Sequence, residues 1–179
     1  IYAHWSITAY TIHYENMDGA VNGNPEGYDV EDLPLTLQKP VKEGYTFAGW
    51  ALEPDGDIIC ADNADLITVA DHANGDNVIT LYAVWTLNVY TISYDLGDYA
   101  ASTAHANPTS YSIETGADII LQDLTPAKSE FRFAGWYTEP LGKGEKVESI
   151  DFQGTVNYTL YAKWEHAGTF SIKCMSSSN

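Results

Sequence analysis

Carboxylates are the chemically active side chains that this sequence offers in quantity, with 25 Asp and Glu against eight Lys and Arg and a formal charge of −17 over 179 residues. Two carboxylates held at a fixed separation across a cleft could hydrolyse a glycosidic bond. Asp55, Asp57, Asp62, Asp65, Asp71 and Asp76 instead fall among Gly, Pro and Asn in turn-prone stretches, where charges are ordinarily solvated. The segment Asp71-His72-Ala73-Asn74-Gly75-Asp76-Asn77 is rich in oxygen ligands for calcium. With Gly75 set at the glycine of a calcium loop, however, the ligand positions before it hold Asn74, His72 and Ala70, and the last two supply no side-chain oxygen. His4, His13, His72, His105 and His166 show no metal-ligand spacing. There is no nucleophile elbow, phosphate-cradling loop or zinc ribbon. No catalytic, metal or cofactor-binding residue is assigned, no cofactor is expected, and the chain reads as a non-enzyme.

The 13 Tyr, 5 Trp and 5 Phe are the second chemical resource. Aromatic faces can stack on sugars, but they also supply most of the apolar area of a small core. Trp50, Trp85, Trp136 and Trp164 sit in alternating patterns that place them inside. Tyr99, Tyr137 and Tyr158, not shared between the two halves of the chain, remain as candidates for glycan stacking. Cys60 and Cys174 have no counterparts in the opposite half and are read as two separate thiols, with pairing left open. So acidic a surface repels nucleic acid and anionic lipid. No apolar run approaches the roughly 18 residues of a membrane-spanning helix, so membrane insertion is not expected. The absence of an initiator Met and of a signal pattern reads as a monomeric fragment of a larger chain.

The elements that must position these side chains are duplicated. Gly44-Tyr45-Thr46-Phe47-Ala48-Gly49-Trp50 followed by Leu81-Tyr82-Ala83-Val84-Trp85 recurs as Glu130-Phe131-Arg132-Phe133-Ala134-Gly135-Trp136 followed by Leu160-Tyr161-Ala162-Lys163-Trp164. Tyr10-Thr11-Ile12-His13-Tyr14 recurs as Tyr90-Thr91-Ile92-Ser93-Tyr94. The offset between copies is 80 residues at the start, 86 at the Gly-Trp motif and 79 at the final Trp. Copy one therefore carries an insertion between Ala61 and Asn77. Ile1-Tyr2-Ala3-His4-Trp5 reads as the end of a preceding copy. We delimit 1–9 as that end and a junction, 10–87 as repeat one, 88–165 as repeat two, and 166–179 as a tail or the start of a further module.

Within each copy the period of two predicts an opening strand at 10–15 or 90–95 and a closing strand ending at Trp85 or Trp164. Leu33 to Leu37 and Ile119 to Leu124 read as a second strand before Pro40 and Pro126, and Tyr45 and Phe47, or Phe131 and Phe133, open a third. Gly49 and Gly135 replace an expected inward side chain and predict a bulge. Turns are predicted at Glu53-Pro54-Asp55-Gly56 and Glu139-Pro140-Leu141-Gly142. Short helical turns are allowed at Ala64–Ala70 and Val147–Phe152. Trp85 and Tyr90 are an odd number apart, so the chain is expected to bend between Thr86 and Val89, through a short linker that limits motion.

The ordered set Tyr-Thr-Ile-x-Tyr, Gly-Tyr-x-Phe-x-Gly-Trp and Leu-Tyr-Ala-x-Trp resembles the Listeria-Bacteroides repeat, the family that includes the B repeat of internalin-type surface proteins. Copy two departs from it at Glu130 and Phe131, and copy one at Ala51. The resemblance implies an α+β, mostly β fold of two tandem β-grasp, ubiquitin-like modules. It also implies an extracellular place, secreted or on a bacterial cell surface. The expected role is a non-catalytic spacer and protein-interaction module in adhesion, with a host or cell-envelope protein as partner. A glycan-binding module using exposed aromatics is the alternative.

Overall fold

The computed structural model describes residues 2–60 and 75–168. The chain divides into two compact units, Ile1–Asn88 and Val89–Asn179, and their described residues are mostly β. In unit 1, β1 (Tyr10–Glu15), β2 (Gly27–Tyr28), β3 (Tyr45–Ala51), β4 (Ile58–Cys60) and β5 (Val78–Leu87) form one sheet in the order β2-β1-β5-β3-β4. The opening strand lies parallel to the closing strand, with Ile12 beside Ile79 and Tyr14 beside Leu81; the other pairings are antiparallel. Unit 2 contains β6 (Tyr90–Asp95), β7 (Ser110–Tyr111), β8 (Ile119–Ile120), β9 (Phe131–Glu139), β10 (Lys143–Val147), β11 (Ser149–Ile150) and β12 (Tyr158–His166). Its main sheet has the order β10-β9-β12-β6-β7, again with opening and closing strands parallel, and β8 pairs with β11 apart from it.

Alternation explains which face is covered. Ile12 and Ile92 are buried while Thr11, His13, Thr91 and Ser93 are exposed, as the period-two pattern predicts. Ile79, Leu81 and Ala83 on the closing strand of unit 1 and Leu160 on that of unit 2 are fully buried. Trp50 and Trp136 anchor the two cores. Trp85 and Trp164 are half-buried, and their indole N–H groups donate to Asn16 O and Leu96 O at 2.9 Å, the same bond in both units. Each polar tip is thereby satisfied where the ring leaves the core.

The glycines of the Gly-Trp motif behave as the pattern predicts. Gly49 and Gly135 have φ of 151° and 128°, and the pairing with the closing strand shifts register at both. The extra residue turns the following Trp inward.

Three expectations are corrected. Leu33 to Leu37 is not a strand. Only Thr36 within it forms an isolated bridge, while Leu37 is buried and Leu33 and Leu35 pack against the core, so its alternate leucines cover the sheet. In unit 2 only Ile119–Ile120 of the corresponding stretch is a strand. Val147–Phe152 holds no helical turn, because β10 ends and β11 lies within it. Helical backbone among the described residues is limited to single 3-10 turns at Val30–Asp32, Ile113–Thr115 and Pro140–Gly142. At the first, Asp29 caps the turn by accepting from Glu31 N at 2.8 Å. β5 continues through Thr86 and Leu87, leaving only Asn88 and Val89 before β6. The expected turn at Ala64–Ala70 lies outside the described residues.

Candidate functional site

Of the carboxylates that sequence singled out, Asp55, Asp57 and Asp76 are described, and they lie exposed in or beside turns. Asp55 and Asp57 are exposed beside the β3–β4 turn, closed by Gly56 N donating to Glu53 O at 3.1 Å. Asp76 is exposed just before β5, and Asp62, Asp65, Asp71 and His72 lie outside the described residues. No group of three metal-capable side chains occurs among the described residues. Cys60 is a free, buried thiol whose pKa burial pushes up; Cys174 lies outside the described residues. A buried thiol of raised pKa is a packing residue rather than a nucleophile.

The three tyrosines considered for glycan stacking are separated. Tyr158 begins β12 and packs against the core. Tyr137 sits across from Tyr161 with the Lys163 ammonium 5.3 Å from its ring. Tyr99 stacks on Phe131 at 3.9 Å, and Phe131 pairs with His166 at the far end of β12. The nine-residue strand from Tyr158 to His166 is about 26 Å long, so one short glycan cannot span all three.

Tyr99 does line a groove, together with residues that sequence reading passed over. Asp95, Asp98, Leu141, Tyr161, Lys163 and Trp164 also line this open depression of about 280 Å³ in unit 2. β6 and β12 supply Asp95 and Tyr161, which face each other across the ladder, and the β6–β7 loop supplies Asp98 and Tyr99. Leu141, at the β9–β10 turn, is 85% exposed and left-handed at φ 61°, a backbone region that costs a non-glycine residue free energy. One Asp95 oxygen accepts from Gly97 N at 3.0 Å.

The matching corner of unit 1 is closed. Lys42 lies with its ammonium 4.6 Å from the Tyr45 ring centre, 5.7 Å from that of Trp85 and 3.7 Å from the Asp18 carboxylate. Met17 packs against the same core. The aligned positions in unit 2 are Lys128, Phe131, Trp164, Asp98 and Gly97, and no cation lies over Phe131 or Trp164 among the described residues. The sequence signal that could have found this groove is the Met17-to-Gly97 and Gly19-to-Tyr99 difference between otherwise matching copies.

The sheet edges are short or charged. β2 and β7 have two residues each, β4 has three, and β10 is interrupted in register and carries Lys143, Glu145 and Lys146. Such features protect edges against unwanted strand pairing. Beside the groove, Arg132 and the groove-lining Lys163 both reach Glu165, at 2.8 and 3.3 Å, and hold its carboxyl below the usual range.

Comparison with known proteins follows the duplication. The sequence profile of the Listeria-Bacteroides repeat domain matches residues 10–84 and again 90–163. A protein of Evansella cellulosilytica named as a Gly-rich membrane protein is 32% identical over 92% of this chain and 18% of its own length. A second membrane protein of that organism is 30% identical over 92% of this chain and 22% of its own. Internalin H of Listeria monocytogenes is 30% identical over 70% of this chain and 20% of its own. The chain thus spans about a fifth of the length of these curated relatives. No solved structure was found to match it significantly.

Proposed function

Because the chain belongs to the Listeria-Bacteroides repeat family, we propose that it is a non-catalytic repeat segment of a bacterial surface or secreted protein that spaces and presents neighbouring domains. The observation that carries this reading is that the same sheet, with the same parallel centre and the same Gly-Trp bulge, is built twice around separate aromatic cores. Asp55, Asp57 and His13 are not repeated with it, their aligned positions holding Leu141, Lys143 and Ser93. A spacer needs only the repeated part. The likeness to Internalin H and to two proteins named as membrane proteins supports a place at the cell surface. Among the described residues no helix is long and apolar enough to cross a membrane, so anchoring would fall to other parts of the parent.

Each unit is, in this reading, a β-grasp module. The order β2-β1-β5-β3-β4 with parallel first and last strands supports it, with the crossover between β2 and β3 reduced to a 3-10 turn and an extended segment. The short and charged edges weigh against strand addition as the main mode of partner contact. Contacts with a host or envelope protein in adhesion would then use side chains.

Surface display tests the spacer role. We expect an epitope placed beyond the chain on an anchored carrier to become more accessible to antibody when one repeat is replaced by two. Accessibility independent of repeat number would remove the spacing role.

A further inference from the structure

We propose that the groove of unit 2 is a receptor site for a lysine side chain of another polypeptide, held with its ammonium group over the rings of Trp164 and Tyr99 and against the Asp98 carboxylate. This goes beyond the spacer reading and does not rest on it. The argument comes from the two copies themselves. Unit 1 shows what this corner of the fold accepts: Lys42, only 17% exposed, lies over Tyr45 and Trp85 and reaches Asp18. An ammonium near an aromatic face is drawn to the negative ring quadrupole, and more strongly where water is partly excluded.

Unit 2 retains the aromatic and acidic residues, but its aligned lysine, Lys128, is exposed and lies over neither Phe131 nor Trp164. Trp164 and its bond to Leu96 O are the equivalents of Trp85 and its bond to Asn16 O. Asp98 aligns with Asp18 in sequence and has no ion-pair partner among the described residues. No cation covers the Trp164 ring among those residues either. Gly97 replaces Met17, and a β-carbon there would lie 3.4 Å from Trp164 Nε1, so the glycine keeps the indole approachable. Tyr99 replaces Gly19 and adds an aromatic wall, one face backed by Phe131 at 3.9 Å.

The remaining walls suit a lysine. Asp95 adds a second carboxylate, Tyr161 a further ring, and exposed Leu141 an apolar lip for the alkyl stem. Lys163 also lines the groove, and its ammonium is engaged by Glu165 at 3.3 Å and lies 5.3 Å from the Tyr137 ring centre. A net charge of −17 steers cationic partners toward the whole chain.

The test is an NMR titration of the full chain, following the Trp164 indole and Tyr99 ring resonances. The probes are N-acetyl-lysine methylamide, the same compound with norleucine or Nε-acetyl-lysine in place of lysine, and glucosamine. The lysine probe should give saturable shifts at both residues, weakened by salt, and both neutral probes should bind at least about tenfold more weakly, given the strength of such contacts. Asp98→Asn, at an exposed position, should weaken lysine binding several-fold without changing the melting temperature, and Tyr99→Leu should do the same. If Tyr99→Leu unfolds, Asp98→Asn alone decides. Equal binding of the norleucine probe, or lysine shifts unaltered by Asp98→Asn, would overturn the site. Tighter binding of glucosamine than of the lysine probe would overturn the polypeptide source.

Discussion

Tyr14 and Tyr94 show how a repeated residue carries a measurable property. Each hydroxyl donates to a proline carbonyl, Pro25 O at 2.8 Å and Pro108 O at 2.9 Å, and each ring packs on the Trp of the Gly-Trp motif. Burial pushes the Tyr94 hydroxyl up to about 12 and, with the Glu26 carboxylate adding to it, raises Tyr14 further. Burial likewise raises Tyr28 and Tyr111. An unfolded tyrosine ionises near pH 10, so above that pH the unfolded chain releases protons that the native chain keeps. Stability is therefore full below about pH 10 and declines as pH rises toward the native values. Thermal melts between pH 8 and 12 should show this fall. Tyr94→Phe should flatten the decline for unit 2 while costing about 1 kcal/mol at neutral pH for the lost hydrogen bond. An unchanged alkaline slope would show that Tyr94 titrates as it does in the unfolded chain.

At the scale of elements, the bulge in β3 and β9 is the feature on which the sheet depends. Trp136 is buried because the strand gains a residue at Ala134–Gly135, and Gly135 adopts φ 128° to permit it. A β-carbon at Gly135 would also lie 2.5 Å from Lys146 Cε, a flexible chain end that can move. Backbone strain is thus the larger cost. Gly135→Ala is expected to destabilise unit 2 by about 1–3 kcal/mol, read as a lowered denaturation midpoint for that unit. Loss below about 0.5 kcal/mol would mean that the register tolerates an ordinary residue there. This bulge was legible from an interrupted alternation. The covering segment Leu33–Leu37 was not, because leucines that cover a sheet repeat with the same period as leucines within one.

For the whole molecule, two separate cores imply two sets of consequences. Leu160 is fully buried in unit 2 and Leu81 in unit 1. Leu160→Ala should cost about 2–5 kcal/mol in unit 2, while hydrogen exchange of β1 and β5 amides in unit 1 stays as in the parent. Faster exchange in both units would show one cooperative structure instead. The insertion of copy one falls between β4 and β5, partly outside the described residues.

The opening and closing strands, the duplicated plan, the burial of Trp50 and Trp136, the glycine bulge and the family were readable from the sequence. They rest on periodicity and on motifs that recur within the chain, both local properties of residue type and spacing. The parallel meeting of first and last strands was decided only by the tertiary structure, since pairing partners 67 residues apart, Thr11 and Val78, leave no local trace. The groove was decided in the same way. Asp95, Asp98, Tyr99, Leu141 and Trp164 come from three separate stretches of chain. Their closeness follows from how loops close over the sheet rather than from any one segment's pattern.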